Sequence, residues 1–145
     1  MLETISMAPF EIRNIDHVVF RVKDLARSVA FYRAVLGSEV VKDRQDLGLV
    51  HMRAGTSMVD LVSVDGKLGR AGGVGPSDQG HNVDHMSLRI EPFDELAIIK
   101  HLAKFGLKPK GKATVNLGAE GNGMSLYIAD PDGNVIELKG PSQKG

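Results

Sequence analysis

Two stretches of this chain are variations on one pattern. Residues 15–22 read Ile-Asp-His-Val-Val-Phe-Arg-Val, and residues 83–90 read Val-Asp-His-Met-Ser-Leu-Arg-Ile. Asp, His and Arg are identical, and four of the other five pairs are apolar in both copies. The offset is 68 residues in a chain of 145, close to half its length. Such a repeat constrains the fold strongly: each half is one supersecondary unit, and the two units bury surface against each other.

The halves stay in step beyond the shared pattern. After the first copy, Asp24 offers a helix cap, Leu25, Val29, Tyr32 and Leu36 lie on one helical stripe, and Gly37 supplies a stop. After the second, Pro92 suits a first helical position, and Asp94 and Glu95 fall in the first turn. Leu96, Ile99 and Leu102 form the stripe there, and Gly106 is the stop. Three extended segments follow each helix: about 39–43, 49–53 and 57–64 in the first half, and about 107–115, 124–129 and 134–139 in the second. Gly48, Gly55 and Asp130-Pro131-Asp132-Gly133 supply turn chemistry. The joint, 65–82, has glycine at 66, 69, 72, 73, 75 and 80, the composition of a flexible loop. Its length also allows it to cover a site.

Each half therefore reads strand–helix–strand–strand–strand. One face of such a unit is covered by its helix and the other is open. The expected architecture is α+β: two paired βαβββ modules forming a cupped mixed sheet around a cleft, with the helices outside. The expected boundaries are an N-terminal tail 1–12, a first module 13–64, the glycine-rich loop 65–82, a second module 83–140 and a C-terminal tail 141–145.

Strand alternation assigns the faces. Val18, Phe20 and Val22 are uniformly apolar and should face the helix, which turns His17, Val19 and Arg21 to the cleft. Met86, Leu88 and Ile90 likewise leave His85, Ser87 and Arg89 on the cleft side. Ile136 and Leu138 take the core, so Glu137 faces the cleft; Val59 and Leu61 do the same for Asp60. His17 and His85 are thus equivalent positions, as are Asp60 and Glu137. A lone histidine on a strand is more often a satisfied core or rim residue than a ligand; a repeated one, matched by repeated carboxylates, points to a metal site. Imidazole and carboxylate together suit Mn, Fe, Co, Ni or Zn. The chain has no cysteine, which removes disulfides and thiolate ligands.

The neighbours have plainer readings. Asp16 and Asp84 point to the helix side of a regular strand and would close turns at the strand starts. Arg21 and Arg89 read as rim charges paired with carboxylates, and His101 as a solvated residue on the polar side of its helix. His51 has no assigned role. His81, four residues before His85, is a candidate acid–base group. Lys plus Arg and Asp plus Glu are 18 each, so nothing advertises nucleic acid or an anionic membrane as a partner. No apolar run reaches the roughly 20 residues of a membrane span, and residues 1–14 do not read as a signal peptide. The expected location is cytoplasmic.

Asp16-His17, Leu25-Ala26-Arg27-Ser28 and Phe31-Tyr32-Arg33-Ala34-Val35-Leu36-Gly37 resemble the opening of glyoxalase and bleomycin-resistance proteins. Asp130-Pro131-Asp132-Gly133-Asn134-Val135-Ile136-Glu137-Leu138 resembles their closing motif. The resemblance, to the vicinal-oxygen-chelate superfamily, covers residues 13–140. It implies paired βαβββ units, a homodimer, and one divalent metal at His17, His85 and Glu137. Asp60 falls where glyoxalase I carries a glutamate that both ligates and shuttles a proton. Aspartate is shorter by roughly 1.5 Å, which is large against metal–ligand tolerances of about 0.2 Å. Asp60 is therefore expected to bind through water or to act as a base. Ser125-Leu126-Tyr127 resembles a substrate-contacting stretch of fosfomycin-resistance proteins, which makes Ser125 and Tyr127 candidate substrate contacts. Val19 stands where those proteins place a hydroxyl, so a full phosphonate cage is not expected.

Three functions fit these residues. The first is a metal-dependent lyase or isomerase that chelates two neighbouring oxygens of a small substrate and stabilises an enediolate-like intermediate, with Asp60 or Glu137 moving the proton. The second is an Fe(II) extradiol-type dioxygenase, since two histidines and one carboxylate also make the facial triad. The third is a non-catalytic protein that sequesters its ligand.

Overall fold

A computed structural model describes residues 8–143. The first half runs β1 (His17–Val22), α1 (Leu25–Ala34), β2 (Val40–Arg44), β3 (Leu49–Ala54) and β4 (Ser57–Ser63). The second runs β5 (Met86–Arg89), α2 (Glu95–Ala103), β6 (Thr114–Gly118), β7 (Gly121–Ala129) and β8 (Val135–Ser142). Each half makes one four-stranded mixed sheet, in the order β1-β4-β3-β2 and β5-β8-β7-β6. The first strand of each half lies parallel to the last, and the other pairings are antiparallel. This is the α+β pair of βαβββ modules expected from the repeat. β1 and β5 are each left as a sheet edge.

The helices begin and end for matched reasons. The Asp24 side chain accepts from Arg27 N at 3.0 Å, and the Asp94 side chain accepts from Ala97 N at 3.1 Å. Each satisfies a backbone donor that the first helical turn leaves unpaired. Asp94 thus caps α2, and Pro92 stands two residues before the cap rather than at the first helical position. Gly37 and Gly106 close the helices at φ of +70° and +71°, a conformation that other residues rarely adopt.

One expected strand is displaced. Residues 107–113 are irregular and β6 begins only at Thr114. Pro109 has no N–H for a ladder, and Gly111 takes φ of +135°. Lys110 N and Ala113 N donate instead to Tyr127 O and to the Glu95 carboxylate. β8 runs on through Ser142, which pairs with Gly123, so the strand extends past the expected boundary at 140. The expected N-terminal tail lies partly outside the described residues, as do residues 144 and 145.

The faces follow the alternation. Phe20, Val22, Met52, Val59, Leu61, Ile128, Ile136 and Leu138 join Tyr32 and Leu102 from the helices in one apolar core spanning both modules. The turn before β8 locks the modules together. The Tyr32 hydroxyl donates to Asp130 Oδ2 at 2.8 Å, and Asp130 also accepts from Asp132 N, Asn134 N and Asn134 Nδ2, each at 2.9 Å. Burial first, and then the Asp130 charge, push the Tyr32 phenol far above its ordinary range.

The 65–82 segment is tied down. The Arg21 guanidinium donates to the carbonyls of Gly69, Gly72, Gly73 and Val74, at 3.0, 3.1, 2.6 and 3.1 Å. Arg21 therefore serves backbone carbonyls and not the carboxylate expected of a rim charge. Gly72 is needed for that approach, since a Cβ there would fall 2.6 Å from the guanidinium carbon. Arg89 does pair with carboxylates, those of Glu91 and Glu120.

Candidate functional site

The second module gathers four of the residues singled out in the sequence. Glu137 lies in β8 opposite Tyr127 of β7 on one side and Ser87 of β5 on the other. His85 immediately precedes β5, and its Nε2 stands 3.1 Å from Glu137 Oε1. Ser125 Oγ donates to the other oxygen, Glu137 Oε2, at 2.6 Å. The Tyr127 ring meets the His85 ring edge-on, with centroids 5.8 Å apart. Tyr127's phenol is pushed up, first by burial and then by the Glu137 charge beside it. Glu137 is only 6% exposed, whereas His85 is exposed at the open edge.

The first module repeats the frame with different occupants. His17 opens β1, and Asp60 lies in β4 opposite His51 of β3. His51 therefore occupies the place of Tyr127, and Asp60 that of Glu137. His51 Nδ1 and Asp60 Oδ1 are 3.0 Å apart. They are not aligned as a hydrogen bond, and each is buried without another partner. Leaving a buried polar atom unsatisfied costs about 1–3 kcal/mol, so this pair is under pressure to find a proton or a ligand.

Both histidines are held from behind. Asp16 Oδ1 stands 2.7 Å from His17 Nδ1, and Asp84 Oδ2 stands 2.7 Å from His85 Nδ1. The Asp of each Asp-His pair thus orients the neighbouring ring instead of closing a turn. An Nδ1–H directed at a carboxylate leaves the Nε2 lone pair as the ligating or basic atom. These contacts raise both imidazoles above the ordinary value of 6.5, the Asp16 bond being the largest cause at His17 and the Asp84 bond at His85. The charge of Asp60 adds to the first, and that of Glu137 to the second.

The donor set can be tested against a cation on one observation. The His85 imidazole stands between two carboxylates, Asp84 Oδ2 at 2.7 Å from Nδ1 and Glu137 Oε1 at 3.1 Å from Nε2, and a neutral ring has one N–H for the two contacts. The other contact is favourable only with a positive centre shared between its atoms, either a proton or a metal ion. The pair therefore fits an ion. Yet among the described residues no three or more His, Asp or Glu side chains of one chain stand close enough to hold one. Within one chain the expected ligands thus do not gather at one point: His85 stands with Glu137, and Asp60 stands with His51. A groove of about 950 Å³ passes both histidines, flanked by Val18, Met58, Met86 and Leu88.

The remaining histidines differ from expectation or add little. His101 is not solvated: its Nε2 stands 2.7 Å from Val35 O, and its ring packs edge-on against Phe105. His81 is exposed in the loop. Asp16 and Asp84, expected only to close turns, and His51, without an assigned role, are the neighbours of the site that the sequence did not place. The Asp-His repeat was the signal for the first two, and the cross-strand register was the signal for the third.

The fold and the sequence together define a class. The pattern of the Glyoxalase/Bleomycin resistance protein/Dioxygenase superfamily matches residues 14–138, and the chain belongs to that superfamily. It is similar to the virulence protein STM3117 of Salmonella typhimurium, 28% identical over 131 residues that cover 88% of this chain and 83% of that protein. The crystal structure of that protein superposes with a TM-score of 0.70 at 25% identity, covering 91% of this chain and 99% of the other. A lactoylglutathione lyase of S. typhimurium is 28% identical over 128 residues, covering 84% of this chain and 88% of the lyase. An integron cassette protein from Vibrio cholerae matches with a TM-score of 0.70 at 26% identity, covering 92% of this chain and 98% of the other.

Proposed function

We propose that the protein is a divalent-metal-dependent lyase or isomerase of the glyoxalase type, acting on a small molecule that bears two adjacent oxygens. The observation that carries this reading is the His85–Glu137 contact, an imidazole nitrogen 3.1 Å from a carboxylate oxygen with the other ring nitrogen held by Asp84. His17, His85 and Glu137 would hold the ion. Bound there, Mn, Fe, Co, Ni or Zn supplies a Lewis acid that polarises the substrate oxygens.

The chain's own residues divide the remaining work. Ser125 donates to one Glu137 oxygen, which holds that carboxylate in place and leaves the other oxygen beside His85 for the ion. Asp60, 4% exposed and on the equivalent strand position, is the carboxylate left to move a proton between neighbouring substrate atoms. Tyr127, with its raised phenol, stays a hydrogen-bond donor and contacts substrate, whereas Ser125, expected as a second contact, is fully buried and serves Glu137.

The working unit in this reading is a homodimer. β1 and β5 are open edges, and Ile15, Val19 and Val83 beside them are exposed apolar residues, Val19 by 45%. Open edges flanked by apolar side chains favour pairing with another chain. A twofold partner would set His17 of one copy against His85 and Glu137 of the other, which supplies the three donors that one chain keeps apart.

Metal analysis of tag-free protein, followed by solvent-proton exchange into the hemithioacetal of methylglyoxal and glutathione, tests the proposal. The expected result is about one bound ion per chain and exchange that depends on it. Oxygen consumption with a catechol in place of exchange would establish the dioxygenase reading. Protein that holds no metal and takes none up would contradict both.

A further inference from the structure

Resting on that reading, we propose that His51 is a positioning residue for Asp60, fixing the orientation of the carboxylate that moves the proton. Three observations converge on the pair. His51 and Asp60 are direct cross-strand partners in β3 and β4, so the backbone sets their approach. Their facing atoms, His51 Nδ1 and Asp60 Oδ1, are 3.0 Å apart. Both atoms are buried with no other hydrogen-bond partner, and Asp60 is 4% exposed. A proton on Nδ1 shared with Oδ1 satisfies both at once after a small rotation of the ring, whereas the opposite tautomer would set two acceptors against each other.

The equivalent pair in the second module sharpens the assignment. Tyr127 faces Glu137 from the same register. Glu137 accepts from the Ser125 hydroxyl, so it is held in place. Asp60 has the imidazole of His51 in the corresponding place. An Nδ1–H donor holds Asp60 in one orientation, from which it takes a proton from the carbon beside the substrate carbonyl while the C–H electron pair stays on the substrate, and returns that proton to the former carbonyl carbon as the hydroxyl proton passes to the former carbonyl oxygen. The Nδ1 proton of His51 stays on the ring throughout, so the residue acts through Asp60 and leaves no net change in itself.

Two readouts test this in the full-length protein. Imidazole ¹⁵N NMR should show His51 as the Nδ1–H tautomer, reverting toward Nε2–H in Asp60→Ala. In proton exchange with the methylglyoxal–glutathione hemithioacetal, His51→Leu should lower kcat about 10–100-fold with KM and metal content unchanged. His51→Asn, whose amide N–H can stand in for Nδ1–H, should recover most of that loss. An Nε2–H tautomer in the unaltered protein overturns the inference, as do equal losses in His51→Leu and His51→Asn. Should His51→Leu not fold, the NMR result and His51→Asn decide. If the unaltered protein neither binds metal nor exchanges protons, the functional reading fails, and the tautomer measurement still judges the His51–Asp60 pair on its own.

Discussion

Glu137 and Asp60 occupy the same place in two sheets of the same order, yet they live differently. Glu137 has Ser125 on one oxygen at 2.6 Å and His85 at 3.1 Å on the other. Asp60 has His51 at 3.0 Å and no aligned hydrogen bond to that oxygen. Backbone topology is shared between the halves, while the side chains around each carboxylate are not. The comparison teaches that a duplicated frame fixes where an acid stands, and the side chains around it decide what holds it, a hydroxyl at Glu137 and an imidazole at Asp60.

The largest expected effect separates the two carboxylates directly. Glu137→Ala should weaken metal binding by more than about 100-fold, beyond what reorienting a ligand costs. Asp60→Ala should leave the metal content intact and slow proton exchange by about 10²–10⁴-fold. Equal metal loss in the two variants, read by elemental analysis, would make Asp60 a ligand and erase the distinction. Next come the aspartates behind the rings. Asp16→Ala and Asp84→Ala should each weaken metal binding by about 10–100-fold. Both carboxylates are exposed, so thermal unfolding of the metal-free protein should barely change. A large stability loss in either would assign it a structural role.

A third effect concerns the lock between halves. Tyr32→Phe removes a buried donor from Asp130 and should lower stability by about 2 kcal/mol in denaturant unfolding. Its pH dependence has a definite sign. The folded phenol is raised above its unfolded value, so the stabilisation is fully present below about pH 10 and is lost as the pH rises above it. The advantage of the unaltered protein over Tyr32→Phe should therefore shrink in alkali; an advantage that grows there would contradict the burial argument. The smallest effects belong to the caps. Asp24→Ala and Asp94→Ala should each cost about 1 kcal/mol, and a clear inequality would show that the helices are not equivalent.

Much of the frame was legible because the repeat and the alternation are local. The Asp-His pattern, the helical stripes and the Gly37 and Gly106 stops define both modules, and the apolar sets Val18-Phe20-Val22 and Met86-Leu88-Ile90 fix the faces. The misplacements were of another kind. The 107–113 segment has strand-like length, but Pro109 and Gly111 break the ladder. Arg21 carries the charge of a rim residue, yet a fold-back loop offers it carbonyls from residues some 50 positions away. His101 looks solvated on its helix until the end of α1 is packed against it. Asp16 and Asp84 were noticed as a repeat, but their role depends on the strands starting at or just after the histidines, which lets each side chain curl toward its neighbour. His51 required knowing which residue of β3 faces Asp60. In each case a long-range contact decides what a side chain does.

The central claim is a metal held by His17, His85 and Glu137 across two copies of the chain. Mixing the His17→Ala and Glu137→Ala variants under conditions that exchange subunits tests it most directly, with bound metal as the readout. Each variant alone should bind none. The mixed dimer should bind one ion per two chains, because one of its two sites then receives His17 from one copy and His85 with Glu137 from the other. A mixture that stays metal-free, or a His17→Ala protein that keeps its full complement, would contradict the account.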